Sequence, residues 1–427
     1  MTPGARSGSV DTSSPTRPDV EVARAAGLVA RTVAIPDDDV DLLDFAGDDG
    51  LLFEREGCGL AGRGVALRVD AAAADDVLAA MTSRDDVGRP GCGPIALGAL
   101  PFDPASVATV VVPREVLGRS PDGAAWYTVV SAEGDDPGPS WVSRHPDEAD
   151  RPRPPDDFRL TAARPHQEWV DAIAAAVDTI ASGRLRKVVL AREVTVEANR
   201  RIHPVDVLGR LRALYPSCMI FSVEGFVGAS PELLVGRFGD AVRSQPMAGT
   251  IPRSGDPTVD ARLAAGLLAS PKDREEHALV VEEVAAGLTP YCASLDVPAA
   301  PSIVPLRNVS HLGTLLTGVV AAGAPSAIRL ARALHPTPAV AGTPTADAVA
   351  YIAAVEGLDR GRFAGPVGWV DANGDGEWAV GVRSAELDGN RARLFAGVGV
   401  VADSEPEAEL AETQLKLQAL LAAVVRP

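Results

Sequence analysis

Glycine and proline divide the segment 219–245 into short apolar pieces, and this spacing restricts the fold more than any other feature of the chain. The breaks lie at Gly225, at 228–231, at Gly236 and at Gly239. Each piece has the length of a β-strand, and connections this short join antiparallel strands, because a parallel pair needs a crossover of a dozen or more residues. The segment is therefore predicted to form an antiparallel meander.

Periodic apolar residues predict the other elements. In the second part of the chain we expect helices over 166–182, 205–214, 270–288, 327–334 and 347–356, and a last helix that begins at Ser404. Strands are expected over 187–196, 309–320, 365–370, 377–386 and 392–401, with a tight loop over 246–250. Earlier in the chain, strands are expected near 51–53, 64–69, 95–102 and 108–113, with a helix over 71–82. Many antiparallel strands with helices between them indicate a large α+β fold.

Composition divides the chain into three parts. Residues 1–20 are rich in Ser, Thr, Pro and Gly and are expected to be a disordered tail without the apolar stretch of a signal peptide. Residues 21–157 form the N-terminal part of the fold and end in a loop rich in Pro and Asp (132–157), and residues 158–427 form the catalytic region. Cys58, Cys92, Cys218 and Cys292 lack CxxC spacing, which favours a reduced, cytoplasmic protein.

The charge of the chain restricts its partners. The formal net charge is −18, which argues against binding to nucleic acid or to an anionic membrane surface. No apolar run approaches the roughly 18 residues that cross a bilayer. A small anionic substrate would need local cations to overcome this negative background.

Two helices each carry a pair of acidic residues. Ser404 and Glu407 form a capping-box pattern, after which Glu409, Glu412 and Lys416 share one helix face. Ser270 and Pro271 begin the other helix, which carries Asp273 and Glu276 three residues apart, followed by His277. A solvent-exposed Glu412–Lys416 ion pair would explain the first set alone. The two sets together predict a site for one hard cation, which prefers several oxygen ligands.

A third acidic segment, 371–376, matches the first half of a calcium-binding loop. The twelfth position of that loop is Val382 rather than Glu. The Asn373-Gly374 dipeptide between two strands is better explained as a hairpin turn.

Several motifs, in one order along the chain, resemble the chorismate-utilising enzymes. They are Lys-Val-Val-Leu-Ala-Arg at 187–192, Gly-Ala-Ser-Pro-Glu-Leu-Leu at 228–234, Ala-Gly-Thr at 248–250, Lys-Asp-Arg-Glu-Glu-His at 272–277, and Ser-x-Pro-x-x-Glu-x-x-Glu-Thr-x-x-Lys at 404–416. The resemblance covers roughly 158–427. It implies one large domain in which two antiparallel sheets pack together with helices on the outside.

Several positions resemble the isochorismate synthase branch of that family. Lys187 stands where the ammonia-using members have glutamine, which suits a member that activates water. The segments 335–338 (His-Pro-Thr-Pro) and 342–345 (Gly-Thr-Pro-Thr) are similar to isochorismate synthases, whereas salicylate and anthranilate synthases usually have lysine where Thr345 stands. Phe363 replaces a tyrosine typical of salicylate synthases.

The resemblance implies a role for each matching residue. Isochorismate formation adds water at C2 of chorismate and expels the C4 hydroxyl, so it needs a base, an acid and a clamp for two carboxylates. Lys187 is expected to be the base, which must be neutral to accept a proton. Glu232 is expected to be the acid, and burial should raise its pKa. The predicted metal is Mg2+, with Glu276 and Glu412 as direct ligands and Asp273 and Glu409 acting through water. The predicted substrate-binding residues are Gly249, Thr250, His311, Arg383, Gly397, Gly399 and Lys416.

Some alternatives stay open on the sequence alone. Gly397 and Gly399 could mark a β-bulge or a turn, and His311 could be a buried structural histidine. The activity could be that of a salicylate synthase, which also eliminates pyruvate, or the chain could bind chorismate without turning it over. The product could serve menaquinone or siderophore biosynthesis. The protein is expected to be a monomer.

Overall fold

The computed structural model describes residues 17–36, 40–135 and 153–425. The α-helices are α1 (Arg17–Ala25), α2 (Leu42–Ala46), α3 (Ala74–Ala80), α4 (His166–Ala181), α5 (Pro204–Leu214), α6 (Pro257–Ala269), α7 (Pro271–Leu288), α8 (Ala327–Leu334), α9 (Thr345–Val355) and α10 (Pro406–Val425). A 3-10 helix, Thr289–Tyr291, follows α7.

The strands of the first part of the chain are β1 (Leu28–Ile35), β2 (Leu51–Arg55), β3 (Cys58–Arg63), β4 (Leu67–Asp70), β5 (Thr82–Asp85), β6 (Ile95–Ala99), β7 (Thr109–Val112), β8 (Glu115–Arg119) and β9 (Ala125–Ala132). The strands of the middle part are β10 (Phe158–Ala162), β11 (Lys187–Ala198), β12 (Met219–Val223), β13 (Phe226–Ser230), β14 (Leu233–Phe238), β15 (Ala241–Gln245) and β16 (Met247–Pro252). The remaining strands are β17 (Cys292–Asp296), β18 (Ser302–Pro305), β19 (Val309–Gly313), β20 (Leu316–Val320), β21 (Gly342–Thr343), β22 (Pro366–Asp371), β23 (Gly376–Val380), β24 (Ser384–Asp388) and β25 (Arg391–Val400).

These strands form two large sheets and one small sheet. The first sheet has the order β10-β11-β25-β24-β13-β12-β2-β3-β8-β9-β1-β5, with β21 beside β11. The second has the order β17-β20-β15-β14-β23-β22-β6-β7-β4, and the small sheet is β16-β19-β18. Neighbouring strands are antiparallel, apart from the parallel pair β1 and β5. The predicted α+β fold with two antiparallel sheets is confirmed, and the small sheet is an addition to it.

The two large sheets pack face to face. Their shared core contains Phe221 and Phe226 from the first sheet and Leu97, Val367 and Trp369 from the second. The outer face of the first sheet is covered by α2, α5 and α10, and α8 packs on β14, β22 and β23 of the second. Apolar side chains on both faces of a sheet need cover on both sides, so the layers are helix, sheet, sheet, helix.

The N-terminal and C-terminal parts of the chain interleave in both sheets. Strand β2 pairs with β12 in the first sheet, and β6 pairs with β22 in the second. Within the predicted tail, α1 begins at Arg17, while residues 1–16 lie outside the described residues. Most of the predicted Pro- and Asp-rich loop, 136–152, is also outside them.

The helix predictions are accurate for several elements. Helix α4 begins at His166 and α8 spans 327–334, as predicted. Ser270 is the N-cap of α7, because its hydroxyl accepts a hydrogen bond from the backbone N–H of Asp273. The 371–376 segment is the predicted turn: the Asp371 side chain accepts hydrogen bonds from the backbone N–H groups of Asn373 and Asp375.

Two predicted helix starts are wrong. Helix α10 begins at Pro406, because the Ser404 hydroxyl accepts a hydrogen bond from the Val401 N–H instead of capping the helix. Helix α9 begins at Thr345 and follows Pro344, so Asp347 lies in its first turn and is not the N-cap.

Four strand predictions also need correction. The predicted meander over 219–245 is divided between the two large sheets, because β12 and β13 pair in the first sheet and β14 and β15 pair in the second. The expected loop 246–250 belongs to β16, which carries a bulge between Ala248 and Thr250. The expected strand 309–320 is two strands, β19 and β20, that belong to different sheets. The expected strand 377–386 is interrupted between β23 and β24, where Gly381 donates its backbone N–H to Gly365 O.

The described helices include none that is both long and apolar enough to cross a membrane.

Candidate active site

One cavity of about 140 Å3 collects every site residue predicted from the sequence. It lies where β11, β16, β19 and β25 meet α7 and α10. The predicted residues in its wall are Lys187, Glu232, Gly249, Thr250, Asp273, Glu276, His311, Arg383, Gly397, Gly399, Glu409, Glu412 and Lys416. Residues more than two hundred positions apart in the chain therefore share one site.

Lys187 is the first residue of β11 and is almost completely buried. Its side chain is 1% exposed, and its Nζ lies 3.0 Å from Glu276 Oε1 on α7. A buried lysine side chain needs a polar partner for its nitrogen, because leaving that group unpaired in a low dielectric is costly. Glu276 supplies that partner.

Glu232 lies in the short connection between β13 and β14. The Ser230 hydroxyl accepts a hydrogen bond from the Glu232 N–H, which holds this connection. Burial raises the pKa of Glu232 to about 7, against the opposing effects of the Met247 N–H and of the charges on Lys187 and Lys416. A carboxyl group with this pKa keeps its proton for much of the time near neutral pH.

Helices α7 and α10 meet at this cavity through an ion pair. Lys272 Nζ of α7 lies 3.7 Å from Glu409 Oε1 of α10. Burial raises the pKa of Glu409 to about 7, and the charges on Glu412 and Glu276 act in the same direction. The prediction that the two acidic helices converge agrees with this geometry.

Glu412 differs from Glu409 although both lie on the same helix. Burial alone would raise its pKa, but the nearby Lys416 ammonium and a hydrogen bond from Thr250 outweigh burial and lower the pKa. Lys416 Nζ lies 2.8 Å from Glu412 Oε1 and also donates to the Gly397 carbonyl at 2.9 Å. The Glu412–Lys416 pair is thus part of the cavity wall and not only a surface pair.

The four acidic residues provide the hard oxygen ligands that Mg2+ prefers. In the described part of the chain, however, no three Asp, Glu, His or Cys side chains are close enough together to ligate an ion. The reason is visible in the contacts, since Glu276, Glu409 and Glu412 each point to a lysine. The chemistry of the donor set fits Mg2+. In this structure a lysine side chain contacts each of these three glutamates.

Arg383 enters the cavity from the break between β23 and β24. Its φ of 52° is in the left-handed region, which is uncommon for a residue other than glycine. One guanidinium nitrogen lies 3.1 Å from His311 Nε2, and His311 Nδ1 lies 3.2 Å from the Gly249 carbonyl. Burial and the adjacent Arg383 lower the pKa of His311 to about 3. His311 is therefore neutral, donates from Nδ1 to Gly249 and accepts from Arg383 at Nε2.

Glycines allow the cavity to form at two of its sides. A Cβ atom on Gly399 would lie 2.4 Å from Glu276 Oε1 and 2.9 Å from Lys187 Cε. Gly249 has a φ of 72°, and a Cβ there would lie 3.2 Å from the Asp273 Cβ. Gly397 and Gly399 pair regularly with Ala191 and Val189, so the alternative of a bulge or turn at these two residues is not observed.

The sequence interpretation missed several residues in the wall. The main ones are Lys272, Met247, Val340, Arg360 and Phe395. Lys272 is the first residue of the Lys-Asp-Arg-Glu-Glu-His motif, so the sequence does indicate that it belongs to the site. Arg360 lies two residues from Arg362, which is not in the wall, and no local pattern separates the two.

Comparisons with known proteins agree with the motifs. Residues 68–425 match the family model described as chorismate binding enzyme. The chain is 38% identical to the isochorismate synthase DhbC of Bacillus subtilis over 342 residues, which cover 78% of this chain and 81% of that protein. It is 40% identical over 352 residues to a putative isochorismate synthase MenF of Mycobacterium tuberculosis, covering 79% and 88%.

Solved structures show the same relationship. A putative 2,3-dihydroxybenzoate-specific isochorismate synthase from Bacillus anthracis superimposes with a TM-score of 0.75 at 36% identity, covering 90% of this chain and 99% of the other. The menaquinone-specific isochorismate synthase MenF of Escherichia coli gives a TM-score of 0.78 at 26% identity, covering 94% and 95%. The resemblance inferred from the motifs is confirmed, and this chain belongs to the family of chorismate-binding enzymes.

Proposed function

We propose that this protein is an isochorismate synthase, which converts chorismate to isochorismate by adding water at C2 and expelling the C4 hydroxyl. One observation carries the proposal: a buried lysine and a glutamate whose pKa is about 7 line the same cavity, beside two acid-bearing helices. The same type of protein is named among its relatives and structural neighbours.

Arg383 and Lys416 are the cations proposed to bind the enolpyruvyl carboxylate. An arginine can make two parallel hydrogen bonds to a carboxylate, and a lysine adds a point charge. His311 is occupied by Arg383 and Gly249, so it contributes by orienting the guanidinium. The backbone at Gly249, Thr250, Gly397 and Gly399 would approach the ring closely, because the glycines leave no side chain in the way.

Lys187 and Glu232 are proposed to act as base and acid. Lys187 takes a proton from the water that attacks C2, and Glu232 gives a proton to the hydroxyl that leaves C4. The two must therefore hold opposite protonation states, a neutral amine and a neutral carboxylic acid. The raised pKa of Glu232 supports the second requirement.

Mg2+ is the proposed cofactor. Glu276 and Glu412 would bind it directly, and Asp273 and Glu409 would bind it through water. When bound, the ion would neutralise the acidic helices and the ring carboxylate of the substrate. The lysine partners of the three glutamates would then be released to other contacts.

The cavity wall also suits a dianionic substrate in a strongly acidic protein. Five cationic side chains (Lys187, Lys272, Arg360, Arg383, Lys416) balance five acidic ones (Glu232, Asp273, Glu276, Glu409, Glu412). We propose a cytoplasmic monomer that binds neither nucleic acid nor membranes, consistent with the net charge of −18.

Product chromatography tests the proposal. Purified protein is incubated with chorismate and Mg2+, and the products are separated. Isochorismate without pyruvate is the expected result. Salicylate with an equal amount of pyruvate would instead identify a salicylate synthase, and unchanged chorismate would identify a binding protein.

A further inference from the structure

The outer edge of β11 is completed by side chains instead of by a strand. Strand β10 pairs with β11 only from Val194 onwards, and β21 pairs only with Lys187 and Val188. Between these two partners, no described strand pairs with Val189 or Ala191 on this side, although the Val189 N–H donates to the Ala341 carbonyl at 2.8 Å. Unpaired backbone groups are costly when buried, so other groups must satisfy them.

Glu356 and Arg360 satisfy much of this edge. The Ala191 N–H donates to Glu356 Oε2 at 2.7 Å, and an Arg360 nitrogen donates to the Val189 carbonyl at 2.8 Å. The Ala191 carbonyl accepts from the indole nitrogen of Trp169 at 3.2 Å. A pair of charged side chains therefore does along β11 what a neighbouring strand would do.

The same pair also holds the segment around Val340, which lines the cavity beside β11. Arg360 donates to both carboxylate oxygens of Glu356 and to the carbonyl of Val340 at 2.9 Å. Its guanidinium lies 4.2 Å from the centre of the Phe102 ring. Both charged side chains are almost entirely buried, at 2% and 3% exposure. Arg360 lies in the wall of the cavity, but four of its five N–H donors are already committed to Glu356 and to two backbone carbonyls.

We propose that the Glu356–Arg360 pair is a positioning device for the reaction. It fixes the backbone of β11 at Val189 and Ala191 relative to the segment around Val340. Lys187, the first residue of the strand, is thereby held in place. Arg360 acts through these backbone groups and does not bind the substrate. This inference rests on the proposed function, because it assigns Lys187 to the chemistry.

Two conservative variants test the proposal. In Glu356→Gln, an NH2 group replaces one carboxylate oxygen and must face a donor, either the Ala191 N–H or Arg360. In Arg360→Lys, the charge stays but the fork that reaches Val189 and Val340 is lost. Since small displacements of a reacting group are costly, we expect kcat to fall at least about tenfold while KM for chorismate changes by less than about threefold.

Arg362→Lys is a matched control. Arg362 pairs with Glu386 and donates to the backbone carbonyls of Val223 and Glu224, so its chemistry copies that of Arg360. It is absent from the cavity wall. The Arg362→Lys substitution should lower the free energy of unfolding without lowering kcat.

Amide hydrogen exchange gives a readout that does not need turnover. In both test variants the Ala191 N–H and the segment 339–341 should exchange faster than in the wild type, while β12 and β13 should not. A rise in KM at constant kcat in Arg360→Lys would overturn the proposal in favour of direct substrate binding, as would unchanged kcat with lost Ala191 protection. If Glu356→Gln does not fold, Arg360→Lys decides by the same criteria.

A failure of the proposed function can be distinguished from a failure of the positioning role. If the wild type does not convert chorismate, the exchange data still decide the positioning role of the pair. Faster exchange confined to β11 and 339–341 supports it, and unchanged exchange there overturns it.

Discussion

At the residue scale, the environment of each group decides its role. Lys187 and Glu232 lie in one cavity, but Lys187 has an acidic partner in contact, whereas at Glu232 burial outweighs the Met247 N–H and the charges on Lys187 and Lys416. Burial raises the pKa of a carboxyl group, and this prepares Glu232 to donate a proton.

Replacing Lys187 should remove the base. In Lys187→Gln the shorter side chain keeps a hydrogen-bond donor, but it cannot take a proton from water. We expect kcat to fall by about 100-fold or more, with chorismate binding largely retained. Steady-state kinetics and calorimetric titration with chorismate measure the two effects, and wild-type turnover would refute the assigned role.

Replacing Glu232 should remove the acid. Glu232→Gln keeps the shape and one donor but cannot release a proton, so kcat should fall by roughly 100-fold or more. In the wild type, kcat should decline as the pH rises through about 7, because Glu232 then loses the proton it must donate. A pH profile of kcat checks this. Loss of one essential proton predicts that kcat falls roughly tenfold for each pH unit above the pKa. A kcat that stays constant between about pH 6 and 9 would contradict the assigned role.

The identity of the site residues could be predicted, but their contacts could not. All thirteen predicted residues line one cavity; nine of them lie in the five chained motifs, and the other four are His311, Arg383, Gly397 and Gly399. The pairing of Lys187 with Glu276, and of Lys272 with Glu409, depends on how α7 meets β11 and α10. Arg360 was missed because the two backbone carbonyls that it reaches, those of Val340 and Val189, belong to other segments and leave no trace in the local sequence.

At the scale of elements, β25 shapes the site because its glycines leave space where other residues would place a side chain. Gly399 faces the Lys187–Glu276 pair, and nothing larger fits between them. Helices with strong caps, such as α7, could be placed from the sequence. The break before Arg383 could not, because it depends on a backbone hydrogen bond from Gly381 to Gly365, which immediately precedes β22.

Gly399→Ala should separate the lysine from its glutamate. The added methyl group would lie 2.4 Å from Glu276 Oε1, so one of the two side chains must move. We expect a stability loss of about 1–3 kcal/mol from overpacking. Because the base is displaced, kcat should fall by about 100-fold. Thermal unfolding and steady-state kinetics measure the two changes.

Gly266→Ala is the matched control for that substitution. Gly266 lies in α6, and a Cβ there would meet no atom within 4 Å. Alanine is the better helix former, so stability should rise by roughly 0.5–1 kcal/mol with unchanged activity. Equal kinetics for the two variants would refute the role of Gly399.

At the scale of the whole molecule, the two halves of the chain complete each other's sheets. The N-terminal strands β2 and β6 each pair with a strand of the C-terminal part. The sequence predicts strands in both halves but not these pairings, because a strand pattern does not specify a distant partner. How the described strands of the N-terminal part pair with those of the C-terminal part is therefore visible only in the structure.

Mg2+ should stabilise the whole protein. Burial raises the pKa of Glu409, and the negative charges on Glu412 and Glu276 add to the rise, so a bound cation would relieve both costs. A ligand that binds only the folded state at 100 times its Kd adds about 2.7 kcal/mol to the free energy of unfolding. We expect Mg2+ to raise the melting temperature, and calorimetry can measure the rise.

The matched control for the effect of Mg2+ on the melting temperature is Glu275, which precedes the proposed ligand Glu276. The variant Glu276→Gln/Glu412→Gln should lose the Mg2+-dependent rise in melting temperature. Glu275→Gln should keep it, because Glu275 does not line the cavity. The same rise in all three proteins would show that the ion binds elsewhere.

The most direct test of the account is a crystal structure of the Glu232→Gln variant with chorismate and Mg2+, in which slow turnover preserves the substrate. We predict a ring whose C2 faces Lys187 Nζ and whose C4 faces residue 232, with the ion in contact with Glu276 and Glu412. A ring bound with C2 turned away from Lys187, or an ion that touches neither glutamate, would contradict the proposed mechanism.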